Sequence, residues 1–213
     1  LNGATHKLNL WYVKLTGADT SSNSEGDNYG GSIYMYQNGG ELNLYYSEIS
    51  GNKADYGAGI YAFGSTGNNK NTIMNIYNSI INNNDADNNG GGMYLYYAVA
   101  TIQDTTIDNN DKSGMYIHSS DVSFKNTIIS NNAGSQGGAL YIAGNGATVN
   151  INQLSFVDND ATNQGDEIYV KNSPTITVVN TVGLDTGIYE QNTPTWTTCT
   201  DDPCADLTCS AVD

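Results

Sequence analysis

The chain has 213 residues and carries 22 acidic side chains against seven lysines and no arginine, which gives a formal net charge of −15. Nucleic acids and anionic membrane surfaces are bound through basic patches, so this charge balance argues against both partners. No apolar run approaches the length that crosses a bilayer, so no membrane insertion is expected.

A short motif recurs from one end of the chain to the other. Its first copies, at residues 30–35, 57–62 and 90–95, read GGSIYM, GAGIYA and GGGMYL. Further copies start at residues 114, 137 and 167, and equivalent apolar positions lie 22 to 33 residues apart. Repeats of this length are typical of solenoids, in which each unit packs mainly on its neighbours. A constant motif with variable spacing predicts constant strands joined by loops of different length.

A second pattern follows each copy of the motif. Residues 42–44 read LNL and precede Ile49-x-x-Asn52, and residues 74–76 read MNI and precede Ile81-x-x-Asn84. The alternation of apolar and polar residues is typical of half-buried strands, and no window shows helical periodicity. We therefore predict an all-β parallel β-helix of about seven coils, stacked roughly 4.8 Å apart.

The asparagine that ends each copy of the second pattern forms a column. We expect these side chains to lie inside a turn of every coil, where each amide bonds the amides above and below and satisfies backbone groups of the turn. The predicted ladder consists of Asn52, Asn84, Asn110, Asn132 and Asn159.

The clearest copies of the two patterns read GGAL at residues 137–140 and FVDN at residues 156–159. These repeats, over roughly residues 8 to 182, resemble those of the chlamydial polymorphic outer-membrane proteins. Related right-handed β-helix repeats occur in bacterial and algal surface proteins. The resemblance implies a right-handed, single-stranded parallel β-helix and a location at the cell surface or outside the cell.

Aromatic residues alternate with the buried aliphatic positions of the first motif. Stacking of the coils then predicts two outward aromatic columns, and an exposed face of that size is normally an interaction site, for another copy, another protein or a glycan. In the alternative interpretation the rings only stabilise the sheet, or loops fold over them. The predicted face comprises Tyr34, Tyr36, Tyr61, Phe63, Tyr94, Tyr96, Tyr116, Tyr141 and Tyr169.

The three cysteines are confined to the C-terminal part, at Cys199, Cys204 and Cys209. This change in composition predicts a β-helix over residues 1–184 and a cysteine-containing cap or linker over residues 185–213. We expect a disulfide among these cysteines that staples the segment, which implies an oxidising, extracellular compartment. The odd number leaves one thiol either free or paired outside this chain.

The acidic loop residues, such as Asp85, Asp108 and Asp158, favour a solvated acidic surface, with Ca²⁺ binding as the alternative. No nucleophile motif or phosphate loop is present, so no cofactor and no enzymatic activity are expected. Many right-handed β-helix proteins are polysaccharide lyases or hydrolases, but pectate-type lyases commonly use an arginine, which this chain lacks.

These patterns predict a structural extracellular protein. It would be an adhesin segment, joined to neighbouring domains of a longer chain, or a fibre subunit that self-associates through the ends of the β-helix, the tyrosine face and the cysteine tail. A polysaccharide-binding or polysaccharide-degrading β-helix protein is the alternative.

Overall fold

The computed structural model describes residues 6–21, 28–36, 39–65, 72–183, 187–199 and 210–211. These residues form strands, turns and bends but no helix, and hence no helix that is long and apolar enough to cross a membrane. Almost all strand pairs are parallel, and most strands pair with the equivalent strand of a neighbouring coil. The predicted all-β solenoid of parallel strands is confirmed.

Four stacks of strands run along the molecule. Stack 1 and stack 2 meet at a corner, and the longest strands, β15 and β18, run through that corner from one stack into the other. Stack 1 contains β1 (Lys7–Trp11), β4 (Gly40–Tyr45), β8 (Thr72–Tyr77), β12 (Ala98–Gln103), the first halves of β15 (Asp121–Ser130) and β18 (Thr148–Val157), β21 (Thr175–Val179) and β23 (Thr195–Cys199). Stack 2 contains β2 (Lys14–Thr16), β5 (Glu48–Ser50), β9 (Ile80–Asn82), β13 (Thr106–Asp108) and the second halves of β15 and β18.

The other two stacks complete each coil. Stack 3 is short and is formed by β6 (Lys53–Tyr56), β10 (Asp85–Asn89), β16 (Ala133–Gln136) and β19 (Asp160–Gln164). Stack 4 contains β3 (Ile33–Tyr36), β7 (Ile60–Phe63), β11 (Met93–Tyr96), β14 (Met115–His118), β17 (Leu140–Ala143), β20 (Ile168–Val170) and β22 (Ile188–Glu190). A last strand, β24 (Ser210–Ala211), pairs antiparallel with β23.

A glycine corner leads from stack 3 into stack 4. At Gly137 φ is 62°, a left-handed conformation, and a Cβ there would lie 2.2 Å from the carbonyl oxygen of Leu140. Glycine is required at this position because it is the only residue that avoids both the steric clash and the conformational strain. The Gly-Gly part of the repeat is therefore a turn, and the motif that follows it is the stack 4 strand.

One hydrophobic core runs along the axis and is built from the inward positions of stacks 1, 2 and 4. Ile76, Ile102 and Phe124 occupy equivalent positions on neighbouring coils and are completely or almost completely buried. The first coil differs, because its inward side chains are only partly buried. These are Leu8, Leu10, Val13 and Leu15.

Parallel pairing continues beyond the predicted boundary at residue 184. Strand β22 pairs with β20, and β23 pairs with β21 over five residues from Thr195 to Cys199. The Trp196 side chain also packs against the core. The first part of the predicted C-terminal segment therefore extends the solenoid, because its strands can satisfy their backbone groups on the open edge of the preceding coil.

Candidate functional site

The asparagine column lies inside the turn between stack 2 and stack 3. Each side-chain amide donates to the side-chain oxygen of the next asparagine, over 2.8 Å from Asn52 to Asn84 and 3.0 Å for each later step to Asn159. The same oxygen accepts the backbone N–H of the preceding asparagine. The second amide hydrogen reaches a carbonyl of the coil before, such as that of Ile81 for Asn110. These side chains are buried and their hydrogen bonds are internal, so the column holds the turns together and offers no surface.

A carboxylate terminates this ladder. Asn159 donates to Glu167 Oε2 over 2.8 Å, and Glu167 stands where earlier coils have a small residue such as Gly92 or Gly114. A Cβ on Gly92 would lie 3.2 Å from the Asn110 amide nitrogen, so the small residue leaves room for the next asparagine. Burial raises the pKa of Glu167 above its ordinary value. Glu167 thus acts as the last acceptor of the column.

The first tyrosine column follows stack 4 in the predicted register. Ring centroids lie 5.5 Å apart between Tyr34 and Tyr61 and 4.6 Å apart between Tyr94 and Tyr116 and again between Tyr116 and Tyr141. Tyr189, which the sequence analysis did not include, extends the column beyond Tyr169 at 5.3 Å.

The expectation of a broad exposed tyrosine face is wrong for part of this column. Tyr61 is 7% exposed and Tyr169 is 2% exposed. Each ring covers its neighbours, and Tyr29 adds a further ring at 4.6 Å from Tyr61. Burial accordingly raises the pKa of Tyr61, Tyr94 and Tyr116. The rings of the middle coils therefore stabilise one another, and the exposed rings of this column are those at its two ends, Tyr34 and Tyr189.

The second column of stack 4 contains Tyr36, Phe63, Tyr96 and His118, with ring centroids 5.4, 5.2 and 4.5 Å apart in that order. Burial lowers the pKa of His118. Its Nδ1 atom is buried and has no hydrogen-bond partner. His118 therefore serves as a stacked, neutral ring at the end of this column.

A different aromatic cluster was missed by the sequence analysis and lies on stack 1 and its corner. We call Trp11, Tyr12, Tyr45, Tyr46 and Tyr77 the aromatic ridge. Trp11 stacks on Tyr45 at 4.0 Å, Tyr45 on Tyr77 at 5.3 Å, and Tyr12 on Tyr46 at 5.2 Å. The signal in the sequence is the pair of adjacent aromatic residues, WY at 11–12 and YY at 45–46, each following an alternating strand.

The two outermost tyrosines of the ridge adopt an unusual backbone conformation. Tyr12 has φ of 54° and Tyr46 has φ of 49°, in the left-handed region. A left-handed conformation costs an ordinary residue roughly 1–2 kcal/mol, and asparagine and aspartate tolerate it best. The same corner on later coils carries mostly such residues: Asn78, Asp104, Asn126, Gln153 and Asn180. Two tyrosines therefore occupy a position that favours asparagine.

An open groove of about 540 Å³ runs beside the ridge. It is lined by residues of three consecutive coils, namely Tyr12, Val13, Lys14, Tyr46, Ser47, Glu48, Asn78 and Ile80. Lys14 Nζ lies 2.9 Å from Glu48 Oε1, and this hydrogen bond holds the pKa of Glu48 below its ordinary value. The groove thus combines aromatic, aliphatic, amide and paired charged groups.

Two of the acidic loop residues bond to neighbouring side chains, whereas Asp158 is exposed. Asp108 accepts hydrogen bonds from Ser130 and Asn131, and Asp85 lies 3.4 Å from Lys53 Nζ. Within the described ranges, no three acidic, histidine or cysteine side chains come close enough together to hold a metal ion. The disulfide prediction lies outside the described residues: Cys204 and Cys209 are not described, and of Cys199 only its place in β23 is.

Parallel strands, stacked core residues and an internal asparagine ladder define the class of parallel β-helix solenoids. The family model described as "right handed beta helix region" matches residues 69–183, a little more than half of the chain. The chain belongs to this right-handed β-helix family. No significant match to this chain was found among the curated proteins or the solved structures.

Proposed function

We propose that this chain is a rigid segment of an extracellular surface protein of the adhesin type, with the aromatic ridge as its contact surface. One observation carries the proposal. Among the described residues, the tryptophan and tyrosine side chains that are clearly exposed are concentrated in the first two coils. Trp11, Tyr12 and Tyr46 belong to the ridge, Tyr34 and Tyr36 lie on stack 4, and Tyr189, at 36%, lies near the other end of the solenoid.

Exposed aromatic rings are costly to leave in water and are favoured at binding sites, because they bury a large area with few rotatable bonds. Along the middle coils the rings cover each other, but Tyr12 is 75% exposed and Tyr46 is 48% exposed. The asparagine ladder and the stacked core supply the stiffness that a surface-presenting rod requires. An extracellular location is supported by the cysteine-containing tail and by the resemblance to surface-protein repeats.

Adhesion measurements on matched variants test this proposal. Wild-type protein on beads is compared with a ridge variant, Trp11→Ser with Tyr12→Asn and Tyr46→Asn, and with Gln153→Asn, which alters the same corner far from the ridge. The surfaces are intact bacterial and algal cells and immobilised glycans. We expect wild type and Gln153→Asn to adhere and the ridge variant to be released. Equal adhesion of all three proteins, or none by any of them, would overturn the proposal.

A fibre subunit is the second candidate, and the first coil favours it. Its inward side chains Leu8, Leu10, Val13 and Leu15 are only half-buried, so a further coil would cover them. Electron microscopy of non-reduced and reduced protein tests whether the chain is a fibre subunit. Periodic filaments would support this candidate, and discrete short rods in both samples would exclude it.

A further inference from the structure

The ridge tyrosines occupy their corner at a conformational disadvantage. At five of the seven described corners between stack 1 and stack 2 the chain has Asn, Asp or Gln, and only the first two have Tyr. Strained residues cluster at functional sites, where the strain is kept because of what the side chain does. The presence of tyrosine, where the other coils have Asn, Asp or Gln, therefore points to a role for the rings themselves.

Polar groups flank the rings on the outer face of stack 1. Asn43 donates to Asn9 over 2.9 Å and Asn75 donates to Asn43 over 2.8 Å, which forms an amide row beside the Trp11 column. Lys7 Nζ lies 2.7 Å from Glu41 Oε1 on the next column. Amides and rings thus repeat on three consecutive coils, and one ion pair between the first two coils lies beside them.

This mixture fits a sugar chain better than a protein. Pyranose rings have apolar C–H faces and hydroxyl edges, so they stack on aromatic rings and bond to amides and carboxylates at the same time. A protein partner would have to cover both ion pairs, and desolvating paired charges is costly. The repetition of the same groups on consecutive coils suits a ligand that itself repeats, which is a polysaccharide.

The negative charge of the protein indicates which kind of polysaccharide it can bind. The chain carries a net charge of −15, and the two lysines nearest the ridge are both paired with glutamates. An acidic polysaccharide would be repelled, and among the described residues both lysines at the ridge are already paired with glutamates. The ligand expected from these charges is neutral.

We infer that the aromatic ridge and its groove bind a neutral polysaccharide. The rings of Trp11, Tyr12 and Tyr46 stack on sugar faces, and the groups of Lys14, Glu48 and Asn78 in the groove bond to hydroxyls. Among the described residues that line the groove, Glu48 is the one carboxylate, and it is ion-paired. Because glycoside hydrolysis typically uses two carboxyl groups, we expect the site to bind and not to cleave. This inference rests on the proposed function and names its ligand.

Affinity electrophoresis and calorimetry test the inference with named probes. The neutral probes are barley β-glucan, xyloglucan and galactomannan, and the acidic probes are polygalacturonate and alginate. We expect wild type to bind at least one neutral probe and neither acidic probe. The double variant Tyr12→Asn, Tyr46→Asn should weaken that binding by about tenfold or more. Because asparagine suits this corner, its midpoint of urea denaturation should equal or exceed that of wild type, which excludes unfolding as the cause.

The control is Gln153→Asn, which should bind as wild type does. Binding of no neutral probe, or unchanged binding by the double variant, would overturn the inference. Ridge-dependent adhesion to cells without any polysaccharide binding would leave the proposed function standing and contradict only its ligand. A change confined to self-association, measured by light scattering, would identify the ridge as a contact between copies and equally overturn the inference.

Discussion

Neighbouring residues of the same type have opposite roles in this protein. Asn110 is 1% exposed and its amide and carbonyl groups are all used inside the turn. Asn109, one residue earlier, is exposed, has φ of 51°, and its side-chain amide donates to Asn83 on the surface. The difference arises because the turn points one side chain inward and uses the other for its left-handed backbone conformation.

Replacing Asn110 by Asp should be strongly destabilising. The carboxylate cannot donate to Ile81 O or to Asn132 Oδ1, so two buried hydrogen bonds are lost and a charge is buried, although Asn132 Oδ1 keeps the backbone N–H of residue 110. At roughly 1–3 kcal/mol for each unsatisfied group, the loss in the free energy of unfolding should be about 3 kcal/mol or more. Urea denaturation measures it. Asn109→Asp is the matched control and should change stability little; equal losses in both variants would contradict the argument.

His118 should make stability depend on pH. Burial lowers the pKa of His118 in the folded protein, so the unfolded chain binds its proton more readily. The stability that the neutral His118 ring contributes is therefore complete above the pKa of histidine in the unfolded chain, about 6.5. It is lost as the pH falls from that value towards the lower pKa of the folded protein. Melting curves of wild type and His118→Phe, recorded from neutral to mildly acidic pH, check this. The variant keeps a stacked ring and should lose less stability on acidification; parallel curves would refute the assignment.

At the scale of the element, each stack 4 strand adds one set of side chains to the hydrophobic core and one set of rings to the aromatic columns. Its inward residues join the core and its outward rings join the aromatic columns, where each ring contacts the rings above and below. An aromatic pair contributes roughly 0.5–1.5 kcal/mol beyond the area that it buries. The column is thus a stabilising feature of the sheet over most of its length.

Tyr116→Ser should break the tyrosine column at its centre. Two stacked contacts, with Tyr94 and Tyr141, are lost together, so the free energy of unfolding should fall by at least about 2 kcal/mol. Urea denaturation again supplies the measurement. Tyr116→Phe preserves the ring and should remain close to wild type. A loss as large in the phenylalanine variant would show that the hydroxyl, and not stacking, provides the stability.

For the whole molecule, charge opposes folding. The chain has 22 acidic residues against seven lysines, and the described residues form three lysine–carboxylate ion pairs, which are largely exposed. Exposed pairs of this kind contribute little to stability. Mutual repulsion of the remaining carboxylates therefore outweighs the attraction within these pairs.

Salt should consequently raise the melting temperature. Increasing the NaCl concentration from about 0.01 M to about 1 M shortens the Debye length from about 30 Å to about 3 Å and screens the repulsion. Differential scanning calorimetry at constant pH would show the rise. A matched neutral osmolyte controls for non-electrostatic effects. A melting temperature that falls with NaCl would mean that the ion pairs dominate the electrostatics.

The sequence by itself determined the coil. Glycines at the corners, alternating strands and the asparagine at each turn are local signals that repeat, and in a solenoid each coil packs on a copy of itself, so register follows from the repeat. It also predicted which residues share a column, from Tyr34 to Tyr169 and from Asn52 to Asn159. Long-range topology added little to these features.

Only the tertiary structure decided exposure. Whether a ring such as Tyr61 is buried depends on its stacked neighbours and on Tyr29, which lies outside its own strand. The ridge escaped detection because its rings come from strand ends and corners, where adjacent aromatic residues have no regular period. Its importance depends on a left-handed backbone at Tyr12 and Tyr46, and on a groove spanning three coils. Backbone conformation and open volume are properties of the assembled coils, so no local pattern in the chain encodes them.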